Sequence, residues 1–335
     1  MAKRRLSKQQ QRRIANNQKS KISNSTFAAK DGEVLDARVI SHHGRQLYAE
    51  TASEAGGFDK IKCKIRQNLG DIACGDNIVV QKITNAAGKT EHIVVAVKER
   101  DNLLVKTGFN GAIKPIAANI GQLVIVSAAQ PKPNAYLIDR YITAAENLPA
   151  KSLIVFNKIE LADEEGRSLI DNLEQLYTSI GYHVIRCSVK QDTGIDDIAQ
   201  ALGHTTSILV GLSGVGKSSI VKKILPGIEI KIGETSQATG EGKHTTTVSA
   251  LYHLKDDGII IDSPGVRDFT PIHNSIDEIT HGFIDIRQYQ GLCKFSNCRH
   301  QNEPGCAIRQ AVDAGKINEQ RFKNHLRMIE EFEAQ

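Results

Sequence analysis

The segment Gly211-Leu212-Ser213-Gly214-Val215-Gly216-Lys217-Ser218 is compatible with very few structures. It has the spacing G-x-x-x-x-G-K-[ST], in which glycines let backbone N–H groups turn onto phosphate oxygens. Residues 208–210 before it read as a buried strand, and residues 217–224 behind it read as a helix. A strand, a glycine loop and a helix N-terminus in that order make an anion site, because the helix dipole and its unpaired N–H groups face the ligand. On this reading the loop from Gly211 through Ser219 cradles the phosphates of a nucleotide. Lys217 bridges the β- and γ-phosphates, and Ser218 sets its hydroxyl on Mg²⁺.

The surrounding pattern suits such a loop. Residues 123–127, 152–156, 183–187, 208–210 and 258–261 are nearly continuous apolar runs, as in parallel strands buried on both faces. Helical stretches lie between them at 136–146, 163–179, 195–202 and 217–224. Residues 104–273 are therefore expected to form a doubly wound α/β domain. Asp262-Ser263-Pro264-Gly265 follows one strand, where a carboxylate can hold Mg²⁺ through water and the Gly265 N–H can reach the γ-phosphate. Residues 240–247, a Gly-rich stretch ending in Thr245, Thr246 and Thr247, offer a threonine that closes on Mg²⁺ when the triphosphate is bound.

Asn157-Lys158-Ile159-Glu160 follows the strand at 152–156 and has the character of a guanine-reading turn. A carboxylate there accepts from the N1–H and 2-amino group of guanine, a donor pair that adenine lacks. Asn157 addresses the ring's acceptor edge, and the stem of Lys158 lies across the base. The acid is Glu160, one methylene longer than the usual Asp, which bears on selectivity. Cys187-Ser188-Val189 is positioned as the last base-side loop, with Ser188 its contributor. The base motif precedes the phosphate loop, whereas in an ordinary small GTPase it follows. The order is that of a circular permutation, which is physically cheap because domain termini often lie close together.

The flanks carry other signals. Residues 1–30 hold nine Lys and Arg and no Asp or Glu, leaving 34 basic against 38 acidic residues elsewhere. Residues 1–32 read as a basic tail suited to nucleic acid. Residues 33–103 read as five short strands, at 34–40, 45–51, 60–66, 77–83 and 92–98, separated by turn residues. Five such strands suit a small OB-fold barrel, with an SH3-like barrel the alternative. Tyr48 and Phe58 are its only aromatics, which favours recognition of a nucleic-acid backbone over base stacking. Residues 274–335 are helical and polar, and carry Cys293, Cys298, His300 and Cys306. Three thiolates and an imidazole close a tetrahedral Zn²⁺ shell with no open position, a structural site. The region is expected to be too small and polar to build much core of its own. Its last stretch, residues 317–332, reads as a surface helix charged on its outer face. Cys63, Cys74 and Cys187 read as small buried thiols. No apolar run is long enough for a membrane span, and the first residues lack the apolar core of a secretory signal.

Taken with their rotated order, these motifs resemble the circularly permuted bacterial GTPases of small ribosomal subunit biogenesis, the RsgA or YjeQ family. The resemblance extends over nearly everything after the tail. It implies a barrel, a permuted GTPase domain and a zinc domain in one cytoplasmic, monomeric chain. It also implies GTP hydrolysis to GDP, stimulated by the small (30S) subunit, with 16S rRNA as partner. A Ras-like enzyme keeps a glutamine just after D-x-x-G, but Val266 stands here and cannot orient water. His244 resembles the family's histidine beside the threonines and is the candidate to position the attacking water. Two other readings stand beside this one: a nucleotide-switched RNA-binding module with incidental hydrolysis, and a P-loop ATPase or kinase.

Overall fold

The computed structural model describes residues 33–43, 46–66, 69–84, 88–107, 113–227, 249–263, 271 and 273–334. His244, Thr245, Thr246, Thr247, Gly265, Val266 and the basic tail lie outside the described residues. The chain divides into two compact units, one mainly up to residue 103 and one mainly from residue 104 onward.

The first unit is a barrel of β1 (Glu33–His43), β2 (Gln46–Ala52), β3 (Phe58–Ile65), β4 (Asn77–Thr84) and β5 (Thr90–Val97). The order β1-β2-β3-β5-β4 closes through a β4–β1 pairing. All pairings are antiparallel except β3 with β5, which is parallel. Closure leaves no free edge. Period-two alternation sends Val39, Leu47, Ala49, Cys63, Ile78, Val80 and Val94 into the core. Asp76 is fully buried and ionically satisfied, receiving Arg100 Nε at 2.6 Å and Nη2 at 2.7 Å. The five-stranded barrel agrees with the sequence pattern. A two-stranded ribbon of β6 (Leu103–Thr107) and β7 (Ile113–Ala118) follows, an element the pattern did not announce.

The second unit is built on five parallel strands: β8 (Gln122–Ala128), β9 (Lys151–Asn157), β10 (His183–Arg186), β11 (Thr206–Val210) and β13 (Ile259–Asp262). A short strand, β12 (Ala250–His253), precedes β13. The order is β10-β9-β8-β11-β13, so the direction of winding reverses between β8 and β11. In open α/β sheets ligands bind beyond the C-terminal strand ends at such a reversal. Helices α1 (Ala135–Asn147), α2 (Glu164–Ile180), α3 (Ile195–Ala201) and α4 (Lys217–Ile224) make the crossovers. Asn134 caps α1 by accepting from the Leu137 N–H, and Asp163 caps α2 by accepting from the Gly166 N–H.

The C-terminal helices α5 (Ile276–His281), α6 (Ile284–Arg287), α7 (Ala307–Asp313) and α8 (Glu319–Glu333) belong to the same compact unit. Contrary to the expectation of a coreless region, they enclose Ile279, Phe283, Ile286, Ile308, Phe322 and Met328, with Tyr136 of α1 in the same cluster. Nor is α8 the plain surface helix its polarity suggests, since Arg321, Asn324 and His325 are buried. Their partners explain this. Arg321 Nη1 donates to Asp139 of α1 at 2.6 Å, and Nη2 and Nε donate to Asp285 of α6 at 2.7 and 2.9 Å. Asn324 and Tyr177 also donate to Asp139, at 2.6 and 3.0 Å. Burial alone would lower the Arg321 pKa, but the charges of Asp139 and Asp285 raise it well above its ordinary value. The guanidinium lies 4.8 Å over the ring of Phe283.

Candidate nucleotide site and metal centre

The phosphate loop joins β11 to α4 at the reversal point of the sheet. Its backbone demands glycine. Gly216 sits at φ 99°, and a Cβ there would come within 2.2 Å of Asn157 Nδ2. Gly211 sits at φ 137°, where a Cβ would strike the Val126 carbonyl oxygen at 2.1 Å. Gly216 is the N-cap of α4 and supplies no side-chain acceptor, so the first-turn N–H groups at Lys217, Ser218 and Ser219 are left to an anion. Lys217 Nζ donates to the carbonyls of Gly211 and Leu212, both at 2.6 Å, which holds the ammonium over the loop. Leu212, Ser213 and Gly214 are exposed on the loop's outer side and Val215 is buried beneath it. Asp262 ends β13, the strand beside β11, and so shares the sheet's C-terminal edge with the loop. Ser218 and Asp262, a hydroxyl and a carboxylate at that edge, are a hard oxygen donor set of the kind Mg²⁺ takes.

The base-side residues converge on the same loop. Asn157 is the last residue of β9 and is almost fully buried. Its Nδ2 donates to the Val215 carbonyl at 2.9 Å, tying the turn after β9 to the phosphate loop 58 residues later. Lys158 takes a left-handed conformation, φ 58°, which swings its side chain back across the loop. Its Nζ reaches the Gly214 carbonyl at 2.6 Å and the Gln130 carbonyl at 3.4 Å. Glu160 lies in the single 3-10 turn Ile159–Leu161, and its Oε2 is buried without a hydrogen-bond partner. A buried carboxylate oxygen left unpaired costs free energy and is rare. Its position beside Asn157 and Lys158 suits a ligand bearing adjacent N–H donors.

Ser188 is fully buried, exchanges two backbone hydrogen bonds with Thr193, and accepts from the Gln191 N–H at 3.0 Å. That closes the loop after β10. The residue before it opens the base-side loop in the sequence but is read there as a small buried thiol with no role of its own. Cys187 is indeed buried, and its thiol also donates to Asn157 Oδ1 at 3.4 Å. Burial, and then the charge of Glu160, push this thiol up to about 12, so it stays an S–H donor. Two contributions go beyond the motif readings: the Cys187 thiol as a donor to the base-side turn, and Gln130 as an acceptor for Lys158. Cys187 stands next to Ser188 in the recognised loop, a usable signal. Gln130 stands in no motif, and its role exists only through the fold.

The second candidate site is in the C-terminal helices. The ligand atoms of Cys293, Cys298, His300 and Cys306 all lie within 4.8 Å of one another. Cys293 Sγ is 3.9 Å from Cys306 Sγ, and His300 Nδ1 is 3.5 Å from Cys293 Sγ and 3.4 Å from Cys306 Sγ. With Zn–S near 2.3 Å and Zn–N near 2.0–2.1 Å, tetrahedral ligands sit roughly 3.8 Å apart for two sulfurs and roughly 3.5 Å apart for sulfur and nitrogen. The donor set therefore fits a four-coordinate metal. Burial lowers the His300 pKa, which favours the neutral imidazole that metals bind. Cys306 also caps α7, accepting from the Arg309 N–H at 3.4 Å.

Comparison with known proteins places these sites in a wider setting. The family model described as RsgA GTPase matches residues 97–271. The chain is 43% identical to the small ribosomal subunit biogenesis GTPase RsgA of Saccharophagus degradans, covering 98% of this chain and 97% of that protein. It is 41% identical to the protein of the same name from Yersinia enterocolitica, covering 99% and 96%. Among solved structures it resembles YjeQ from Thermotoga maritima, with TM-score 0.73 and 29% identity over 90% of this chain and all of that one. It also resembles YloQ, a circularly permuted GTPase, with TM-score 0.71 and 26% identity over 91% and 97%.

Proposed function

The chain belongs to the RsgA GTPase family, and from that premise we propose that it hydrolyses GTP to GDP and phosphate during maturation of the small (30S) ribosomal subunit. The observation that carries this reading is the bond from Asn157 to the Val215 carbonyl. It joins a base-reading turn to a phosphate loop despite their inverted order in the chain. The unpaired Glu160 oxygen supports guanine as the base.

The division of labour follows from the residues. The N–H groups of Gly214 to Ser219 bind phosphate oxygens, and Lys217 neutralises charge between the β- and γ-phosphates. Ser218, Asp262 and one of Thr245, Thr246 and Thr247 would hold Mg²⁺. When bound, Mg²⁺ offsets the negative charge that develops during phosphoryl transfer. The Gly265 N–H meets the γ-phosphate, and His244 positions the attacking water. Asn157, Lys158, Glu160 and Ser188 hold the guanine.

We further assign Zn²⁺ to the Cys293, Cys298, His300 and Cys306 set, as a structural ion. The four segments 1–32, 33–103, 104–273 and 274–335 serve as tail, RNA-binding barrel, GTPase and zinc-bearing domain. The chain works as a monomer in the cytoplasm, with 16S rRNA as its partner. Among the described residues no helix is long and apolar enough to cross a membrane.

The test is turnover of GTP and ATP by the full chain, with and without 30S subunits. GTP-specific turnover that rises with subunits is expected. Flat turnover would favour a nucleotide-switched RNA-binding module, and equal use of ATP would refute guanine recognition.

A further inference from the structure

The turn that carries His300 is closed by one carboxylate. His300 takes a left-handed conformation, φ 63°, which is uncommon for a residue with a side chain. Glu303 Oε1 accepts from the Arg299 N–H at 2.8 Å, and Oε2 accepts from the Gln301 and Asn302 N–H groups at 2.9 and 3.1 Å. These donors lie on both sides of His300 in the chain, so the carboxylate fastens the backbone before and after it. A second clamp comes from α7, where Arg309 Nη1 donates to the Gln301 carbonyl and to Asn302 Oδ1. That clamp reaches only the part of the turn after His300.

The three cysteines of the cluster are placed by other bonds. The Lys294 N–H donates to the Gly305 carbonyl at 3.0 Å, tying the residue after Cys293 to the residue before Cys306. A Cβ at Gly305 would come within 3.0 Å of Lys294 Cβ, so these two segments run in close contact. Cys306 is buried and caps α7. The Cys298 N–H donates to the Phe295 carbonyl at 3.2 Å. His300 is thus the one member of the set that sits between amides held by a side chain.

We propose that Glu303 is the positioning residue of this metal centre, holding the left-handed turn that keeps His300 Nδ1 among the thiols and thereby setting the affinity of the site. The proposal rests on the reading of Cys293, Cys298, His300 and Cys306 as a metal site. Groups that orient a metal ligand matter nearly as much as the ligand itself. Here the imidazole is oriented through the backbone that carries it. A carboxylate suits the task, because it offers two acceptor oxygens and no donor to three converging N–H groups.

The test uses the full chain loaded with Zn²⁺, or with Co²⁺ as a spectroscopic probe, and titrated with a chromophoric chelator. Glu303→Ala is expected to weaken both ions about 10- to 100-fold. Glu303→Gln keeps one acceptor oxygen and should lose less. The control is Glu333→Gln. Glu333 pairs with the Arg299 side chain at 3.7 Å and lines one cleft with Cys298 and His300. It removes the same charge without releasing an amide and should stay within about threefold of wild type, since exposed ion pairs contribute little. A double-mutant cycle with His300→Ala separates positioning from general support of the loop. With the imidazole gone, Glu303→Ala should cost less than about threefold. The visible bands of the Co²⁺-loaded Glu303→Ala chain should also move toward those of His300→Ala.

The proposal is overturned if Glu303→Ala keeps wild-type affinity, or if Glu333→Gln loses as much. It is also overturned if Glu303→Ala costs as much without the imidazole as with it. If Glu303→Ala loses helix content by circular dichroism, Glu303→Gln decides, and wild-type affinity in that variant overturns the proposal. A wild-type chain that binds neither ion refutes the metal reading itself, whereas a chain that binds both ions regardless of residue 303 refutes only the role of Glu303.

Discussion

Replacing Arg321 by Met should detach the C-terminal helices from the nucleotide-binding fold more effectively than any apolar truncation there. Arg321 is 1% exposed and Asp139 0%, and Asp285 is 10% exposed. The variant leaves Asp285 without its bidentate partner and Asp139 with only Asn324 and Tyr177. Removing one member of a buried ion pair costs about 3–5 kcal/mol, because the remaining charge stays buried and uncompensated. For a unit of this size each kcal/mol lowers Tm by about 2–4 °C, so a fall of about 6–20 °C is expected in calorimetry. Arg321→Lys keeps the charge but not the two-sided fork, and should fall between. The triple change Asp139→Leu, Asp285→Leu, Arg321→Met removes all three charges and should recover at least half the loss, since apolar replacement of a whole buried network is often neutral. A Tm for Arg321→Met within about 2 °C of wild type would refute the argument that these charges fasten the two regions together.

Four other outcomes follow from the sites. Cys187→Ala removes the donor to Asn157 Oδ1 and should weaken GDP binding roughly five- to tenfold in calorimetric titration, the effect of one hydrogen bond. Cys187→Ser should restore it, and 7-deaza-GDP, which lacks the ring acceptor Asn157 would meet, should bind the alanine variant and wild type alike. Gly216→Ala forces a Cβ into Asn157 Nδ2 at a left-handed φ, so nucleotide affinity should drop at least about tenfold, with α4 intact by circular dichroism. Cys298→Ser should lose the bound metal in elemental analysis while GDP affinity stays within about twofold, because no metal ligand touches the nucleotide loop. His244→Ala should keep GTP binding but lose most of its subunit-stimulated turnover, and full stimulated turnover would remove that histidine from catalysis.

The parts legible in the sequence are those where backbone geometry admits one residue type at one spacing. Gly211 and Gly216 occupy conformations and positions that no side chain tolerates, so the loop announces itself. Lys158 and Glu160 are visible because a base-reading turn needs a cation and an acid in fixed order. The barrel is legible through period-two alternation alone, and its five strands lie near their expected places. The C-terminal helices mislead because Arg321, Asn324 and His325 look like a solvated face. Polarity marks a surface only when no buried partner exists, and the partner of Arg321 lies 182 residues earlier, on α1. No local window contains that information. Cys187 shows the same limit at short range, since a buried thiol and a hydrogen-bonding thiol share one sequence signature.

That hidden partner changes what the rotated chain order implies. The order of motifs suggests that Asp262, at the end of the GTPase fold, passes nucleotide-dependent motion straight down the chain to the C-terminal helices. The packing supplies a second route. Arg321 anchors α8 to Asp139 in α1, and α8 also meets α1 where Tyr136 donates to Glu331. On the other side, Leu137, Ile138 and Tyr141 of α1 line one small cavity with Gly211, Leu212 and Val215 of the phosphate loop. The same helix thus faces the phosphate loop across that cavity and contacts the helix that carries the C-terminal region. A subunit that grips the C-terminal helices can act on the phosphate loop through α1 without passing through Asp262. Coupling by that route requires the ion network, whereas coupling through the chain does not. Arg321→Lys, which keeps the fold's charge, should therefore lower 30S-stimulated turnover more than basal turnover. Equal losses in both would leave the covalent connection after Asp262 as the sole route.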